Sequence, residues 1–358
     1  APYLQYRSTG EWIQINERKT QDGGIVFIAT DITALKNAEQ AAEEAKARLS
    51  DSLALVEAAK ARMQEELNVG RDIQLSMLPR VFPAFPDRKE IELYAVLEPA
   101  LEIGGDLYDF FMVDDHRLYF VIGDVSGNGV PAALFMAMTK IMVKTRAASD
   151  PSPASIVTHV NNALSADNDS CMFVTLYLGI LHLRDGTLVT TNAGHNPPLL
   201  KRRDGEFEWL TAQDGPMVGP MPGIAFKETT IQLEPGDELF LYTDGVTEAD
   251  NRRRELFGKD RLKAVLGRSR AVSVVDRLGE VMHAVRMFSG DAPQADDITM
   301  LGLRYDGVVP SMVASRVFRQ TMPNQLAAIP IVQTAFEEYV GQWDTAKPLI
   351  PTLNMALD

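Results

Sequence analysis

Asp106 in Ile103-Gly104-Gly105-Asp106, Asp124 in Gly123-Asp124-Val125-Ser126-Gly127-Asn128-Gly129 and Asp244 in Tyr242-Thr243-Asp244-Gly245 each lie inside a short glycine or turn motif. A fourth motif, Ala295-Asp296-Asp297-Ile298-Thr299, follows near the end of the same segment. Apolar runs that read as strands adjoin these motifs, residues 118–122 before Asp124 and 239–242 before Asp244. Carboxylates at strand ends, beside glycines that let backbone approach closely, suit hard divalent cations, which take oxygen ligands. The chemistry to which this points is metal-dependent hydrolysis.

Other residues carry chemistry less directly. His195 lies in Gly194-His195-Asn196-Pro197-Pro198, a strand-ending turn, and is read as a structural imidazole bonded to backbone. Glu248 and Asp109 have two roles open to them, support of a metal shell or a surface or capping role, and Glu102 is equally ambiguous. Arg252-Arg253-Arg254 reads as the solvated start of a helix, with phosphoprotein docking near Asp244 as the alternative. Residues 134–138, rich in methionine, read as core packing. Cys171 stands beside the apolar run 172–181 and is expected to be a buried small hydrophobe.

At 358 residues the chain is expected to hold two or three units. Its 46% hydrophobic and 23% charged residues are those of an ordinary globular protein. The balance of 35 basic against 49 acidic residues, a net charge of -14, argues against a nucleic-acid partner. The single cysteine excludes an internal disulfide framework and fits a reducing compartment. No apolar stretch reaches the roughly 18 residues of a membrane span and no signal peptide is evident, so a cytoplasmic location without membrane contact is expected.

Residues 11–16 and 25–29 read as two strands around the turn 20–24, and Asp31 or Thr33 can cap the helix that follows. From 32 to 78 the chain is rich in Ala, Glu, Lys, Arg and Leu. Apolar residues recur there at Leu35, Ala38, Ala42, Ala45, Leu49, Val56, Ala59 and Met63, with breaks at Ser52, Glu66 and Gly70. This is a coiled-coil seam with small core residues, and a parallel dimer helix is expected over a solvated spacer. Prolines 79, 83 and 86 end it. Strands are then expected at 91–97, 107–113, 118–123, 173–183, 188–192, 238–243 and 298–304. Helices are expected at 131–146, 153–166, 253–267 and 272–288. Helices that come in adjacent pairs favour antiparallel sheets with helices on the outer faces. A further amphipathic helix is expected near 324–343.

Taken in order, the motifs resemble a known family. Arg71-Asp72-Ile73-Gln74-Leu75-Ser76-Met77-Leu78-Pro79, Gly104-Gly105-Asp106-Leu107-Tyr108-Asp109, Gly123-Asp124-Val125-Ser126-Gly127 and Gly129-Val130-Pro131-Ala132-Ala133-Leu134 open the run. Asn192-Ala193-Gly194-His195-Asn196-Pro197-Pro198, Thr243-Asp244-Gly245-Val246-Thr247-Glu248 and Asp296-Asp297-Ile298-Thr299 complete it. Together they are similar to the SpoIIE-like branch of PPM-type protein serine/threonine phosphatases. The resemblance implies an α+β fold, an αββα sandwich of two mainly antiparallel sheets with a long N-terminal coiled-coil helix. It implies two Mn²⁺ or Mg²⁺ ions at one edge and hydrolysis by a cation-activated water, without a phosphoenzyme. Carried over by motif, Asp124 bridges the metals and the Val125 carbonyl completes one shell. Asp244 with Asp296 or Asp297 holds the first metal, and Asp106 serves the second; Asp124, Asp106 and Asp244 form the catalytic set. Asn128 stands where many members carry His or Lys, and an amide cannot act as a general acid, so the leaving-group proton must come from water or elsewhere.

Residues 10–36, GEWIQINERKTQDGGIVFIATDITALK, resemble the last two strands and exit of a PAS sensor domain, and the tail from about Ser315, ending in LNMALD, resembles the start of a histidine-kinase-like ATPase domain. The expected organisation is a PAS-like sensor remnant at 1–31, a signalling helix at 32–79, the phosphatase domain at 80–306 and the start of the ATPase domain at 307–358. The implied partners are a phosphorylated STAS-type anti-anti-sigma protein and a second copy of the chain. Two other readings stand beside this one. A catalytically silent phosphatase-fold switch module would bind metal without hydrolysis. A nucleotide cyclase, suggested by Gly104-Gly105-Asp106, lacks the adjoining Glu-Phe and leaves the other motifs unexplained.

Overall fold

The computed structural model describes residues 2–307 with the exception of Asp204. The helix expected at 324–343 and the ATPase-like start through 358 lie outside the described residues. Strands β1 (Tyr3–Tyr6), β2 (Trp12–Lys19) and β3 (Ile25–Asp31) form an antiparallel three-stranded sheet in that order. The chain then enters α1 (Thr33–Met77), 45 residues long, or about 70 Å at 1.5 Å per residue. Asp31 Oδ1 accepts a hydrogen bond from the Thr33 N–H at 2.9 Å, although the residue in the capping position itself is Ile32. The apolar repeat breaks at Ser52, Glu66 and Gly70 within one uninterrupted helix, as expected; Gly70 inside it costs only about 1 kcal/mol. Its apolar seam is exposed, with Leu49 at 61%, Val56 at 65% and Met63 at 65%, so no part of the described chain covers it.

The remainder alternates strands with paired helices. In order they are β4 (Ile91–Glu98), β5 (Leu107–Asp114), β6 (Arg117–Val125), α2 (Gly129–Ala147), α3 (Pro153–Ser165), β7 (Val174–His182), β8 (Thr187–Ala193), β9 (Leu199–Lys201) and β10 (Phe207–Trp209). After them come β11 (Thr229–Gln232), β12 (Asp237–Tyr242), α4 (Asp244–Thr247), α5 (Gly258–Arg268), α6 (Val274–Ser289) and β13 (Ile298–Tyr305). One five-stranded sheet has the order β10-β9-β12-β13-β4 and the other β11-β8-β7-β6-β5. Every pairing within them is antiparallel.

Side-chain alternation explains the four layers. Along β6, Leu118, Phe120 and Ile122 enter the core between the sheets, while Tyr119, Val121 and Val125 face α2 and α3. Along β12, Leu239 and Leu241 meet that same central core, while Phe240 and Tyr242 pack under α5 and α6. Strands buried on both faces read as continuous apolar runs, which is why 118–122 and 239–242 were legible as strands but not as alternating ones. Burying one such Leu or Phe contributes about 1.5–3 kcal/mol. Ser152 and Ser273 cap α3 and α6, each accepting from the N–H three residues on, and Pro153 occupies the first turn of α3.

Three expectations need correction. The helix expected at 253–267 begins at Gly258, because Asn251 closes a turn in which Arg254 takes φ 61°. The basic run therefore lies in that turn, with Arg252 paired to Asp291 and Arg254 to Asp250. Cys171 is exposed, not buried: it ends a turn with φ 51°, bonded through its N–H to the Asn168 carbonyl, before β7 begins. The methionine-rich start of α2 is divided, with Phe135 and Met136 in the core and Leu134 and Met138 at 62% and 46% exposure.

Candidate metal centre

The topology brings the four acidic motifs to one edge of the sandwich. Asp106 immediately precedes β5 and Asp124 lies near the end of β6, its antiparallel neighbour. Asp244 follows β12, and Asp296 and Asp297 precede β13, which pairs with it. Each sheet thus supplies two motifs to the same edge.

Asp106 is 3% exposed and joins the two sheets. Its Oδ2 accepts from the Thr243 hydroxyl at 2.8 Å and from the Thr299 hydroxyl. Thr243 and Thr299 are tied to each other, the Thr299 N–H donating to Thr243 Oγ1 at 3.0 Å. Both threonines sit inside the recognised motifs, yet their hydroxyls are as much part of the site as the aspartates they accompany.

Asp296 and Asp297 differ in their bonds. Asp297 Oδ1 accepts from the Ala100 N–H at 2.8 Å and its Oδ2 from the Gly105 N–H at 2.8 Å. Its carboxylate is therefore a clamp on the loop before β5. Two glycines make room for it: a Cβ on Gly104 would stand 1.9 Å from Asp297 Oδ2, and one on Gly245 would stand 2.0 Å from the Asp297 carbonyl oxygen. Among the described residues, Asp296 Oδ1 accepts only from the N–H of Asp297, at 2.8 Å.

A residue outside the acidic motifs completes the loop. Gln74, the one buried residue of α1, donates through Nε2 to the Gly104 carbonyl at 2.6 Å and accepts through Oε1 from the Gly104 N–H at 3.2 Å. The end of the long helix thereby holds the backbone that also receives Asp297. Nothing in the spacing of Gln74 within 71–79 signals this, because its partner is 30 residues away.

The electrostatics is that of an anionic cluster short of positive charge. Burial, and after it the carboxylates of Asp244, Asp296 and Asp297, push Asp124 up to about 8. Burial, then Asp124 and Asp297, raise Asp106 well above the usual range. Burial raises Asp244 and Asp296 too, with Glu248 adding to the shift of Asp244. Among the described residues, none of these aspartates forms an ion pair with a Lys or Arg. A hard divalent cation suits that oxygen-only donor set and would supply the missing charge. Among the described residues, however, no three His, Cys, Asp or Glu side chains stand ready to enclose an ion, since Asp106 and Asp297 are turned onto protein donors.

His195 is 1% exposed, and Thr175 links it to the main chain of Asp124: the Thr175 hydroxyl lies 3.5 Å from the Asp124 carbonyl. The His195 backbone N–H donates to Asn192 Oδ1, and its Nδ1 bonds the Thr175 hydroxyl at 2.8 Å. Asp109 pairs with Lys140 instead of facing the edge. Glu102 accepts from Gln64 of α1 at 2.7 Å. Asn128 is exposed and caps nothing with its amide. The Val125 carbonyl lies against Gly105, 2.9 Å from where a Cβ would stand.

The family model described as Stage II sporulation protein E (SpoIIE) matches residues 114–306. Protein IcfG of Synechocystis sp. is 32% identical over 267 residues, 66% of this chain and 41% of its own length. The phosphoserine phosphatase RsbU of Bacillus subtilis is 25% identical over 243 residues, covering 68% of this chain and 70% of the relative. The chain thus spans about two fifths of the first of these curated relatives. Among solved structures, the SiaA-PP2C domain of Pseudomonas aeruginosa superposes with a TM-score of 0.62 at 20% identity, covering 70% of this chain and 99% of that domain. The sandwich is a PP2C-like fold.

Proposed function

The chain belongs to the SpoIIE family of PP2C-type serine/threonine phosphatases, and from that premise we propose that it is a metal-dependent phosphatase of phosphoserine or phosphothreonine proteins. The observation that carries this is the meeting of four motif-borne carboxylate sites at one sandwich edge, with Asp124 pushed up to about 8 by burial and its acidic neighbours. In this reading Asp124 would serve both metals and the Val125 carbonyl one of them, Asp244 and Asp296 would hold the first, and Asp106 the second. Asp297 keeps its amide partners and holds the loop. Mn²⁺ or Mg²⁺, when bound, supplies the Lewis acidity that lowers the pKa of water and offsets charge on the phosphoryl oxygens. Thr243 and Thr299 orient Asp106, and Gln74 fixes the Gly104 backbone behind it. Exposed Asn128 offers no acid, so the departing oxygen takes its proton from water or from another group.

The proposed substrate is a phosphorylated STAS-type anti-anti-sigma protein in a cytoplasmic partner-switching pathway, a reading supported by the similarity to the phosphoserine phosphatase RsbU. The exposed seam of α1 supports a homodimer, and the α1-borne Gln74 supports control from a PAS-like sensor end at 1–31. Residues 307–358 are proposed as the start of a histidine-kinase-like ATPase domain. Among the described residues no helix is long and apolar enough to cross a membrane.

The test is phosphate release from a phosphoserine STAS protein with and without Mn²⁺, beside Asp124→Ala. Metal-dependent release that the variant lowers by about 100-fold or more is expected, the scale on which loss of an electrostatic stabiliser lowers kcat. The hydrogen bonds that occupy Asp106 and Asp297 favour, as a second reading, a silent switch module. Mn²⁺ binding with no release from any phosphoprotein would select it.

A further inference from the structure

Lys140 and Asp109 form an ion pair that the chemistry at the sandwich edge does not use. Lys140 Nζ donates to Asp109 Oδ2 at 2.6 Å, and the side chains are 6% and 2% exposed. Asp109 lies on β5 opposite Val121 of β6, three residues from Asp124 along that strand, or about 10 Å. Lys140 lies on α2, whose first residue, Gly129, ends the segment 124–129 that leads out of β6. The rest of the face that α2 turns to the sheet is apolar, formed by Ala132, Phe135, Met136, Val143 and Ala147, except for buried Thr139, whose hydroxyl donates to the Phe135 carbonyl of its own helix. Among the described residues, the bond to Asp109 is the sole side-chain hydrogen bond between α2 and the sheet.

A buried pair in such a place adds little to stability, because desolvation offsets the attraction; the best-attested use of one is to fix register. The joint between β6 and α2 makes such a fix necessary. Gly127 and Gly129 take φ values of 82° and 71°, and Asn128 between them makes no side-chain capping bond. Among the described residues, the helix has one other side-chain polar contact to the sheet, the longer Lys144–Asp109 approach. Lys144, one turn further on, reaches the same oxygen at only 3.5 Å, is 54% exposed and lies over the Phe111 ring, so it does not replace Lys140.

We propose that the Lys140–Asp109 pair is a positioning device that sets α2 on the sheet and thereby holds the loop 124–129 in the form that can receive a divalent cation. Lys140 and Asp109 are positioning residues, acting through the backbone that carries Asp124 and the Val125 carbonyl. The proposal rests on the reading of that edge as a metal site.

The experiment compares Lys140→Met, Asp109→Leu and the double variant in full-length protein. It measures Mn²⁺ binding by calorimetry, thermal unfolding, and hydrogen exchange at residues 125–133 without metal. Each single variant strands a buried charge and lowers the melting temperature. The double variant is expected to recover that temperature while binding Mn²⁺ about 10–100-fold more weakly, the effect of losing an outer support of a metal site. Exchange at 125–133 should remain faster than in the wild type. A double variant that matches the wild type in both binding and exchange would overturn the proposal. Should the apolar pair fail to fold, Lys140→Arg keeps the charge but not the length. Weaker Mn²⁺ binding at an unchanged melting temperature supports the proposal, and unchanged binding overturns it. Wild-type protein that binds no Mn²⁺ would overturn the metal-site reading, while the exchange rates still judge the pair.

Discussion

Gln74 shows how much one amide side chain can govern. Replacing it with Ala leaves the Gly104 N–H and carbonyl, both buried, without partners, at a cost of about 1–3 kcal/mol for each stranded group. Gln74→Ala is expected to lower phosphate release by more than the accompanying fall in melting temperature explains, because the released Gly104 backbone adjoins the Gly105 N–H that Asp297 holds. Steady-state release and calorimetric unfolding on the same preparation check this. His195 gives a second prediction at this scale. Burial pushes its pKa down to about 4, against about 6.5 in an unfolded chain. Above the unfolded value neither state is charged, and the stability is fully present. As pH falls from there towards 4, the unfolded chain takes the proton first and stability is lost, by roughly 3 kcal/mol in all. Urea unfolding of wild type and His195→Asn between pH 7 and 4.5 should show the wild type losing stability more steeply. The acidic motifs were legible in the sequence because each adjoins a strand end. The separation of Asp296 from Asp297 was not, because it depends on the amides of Ala100 and Gly105, nearly 200 residues away.

At the level of elements, α1 joins an exposed seam to a buried end. Leu49, Val56 and Met63 have no covering partner among the described residues, whereas Leu75 and Leu78 pack against the central core. If the proposed homodimer forms through this seam, Leu49→Asp with Val56→Asp should convert it to monomer in sedimentation at micromolar concentration, with little change in the far-ultraviolet helix signal. A dimer that persists would remove the seam from the interface. The helix was readable almost to the residue from its period and composition. Strands β9, β10 and β11 were not read, being three, three and four residues long. Segments so short carry too little alternation to stand out from loop, and only their neighbours β12 and β8 define them.

In the molecule as a whole, the proposed metal site lies between the layers, with Asp106 and Asp124 from one sheet and Asp244 and Asp296 from the other. Ions bound there would tie the sheets together as well as act on phosphate. Mn²⁺ at about 100 times its dissociation constant should then raise the unfolding free energy by about 2.7 kcal/mol for one site. Melting curves with Mn²⁺ and with a chelator measure this, and Asp124→Ala should abolish the difference. The paired helices and apolar runs were enough to foresee antiparallel sheets with outer helices. The pairing of β4 with β13 was not foreseeable from either strand, since it joins residues about 200 positions apart.

The turn that carries Cys171 has a practical consequence. The thiol is exposed and is the single cysteine of the chain. It stands two residues before Phe173, whose main chain is bonded to Ser126 in both directions, its carbonyl accepting from the Ser126 N–H and its N–H donating to Ser126 Oγ. A maleimide fluorophore would therefore attach at one position per molecule, beside the loop that follows Asp124. Its emission would follow rearrangement of that loop in real time, in otherwise unaltered protein.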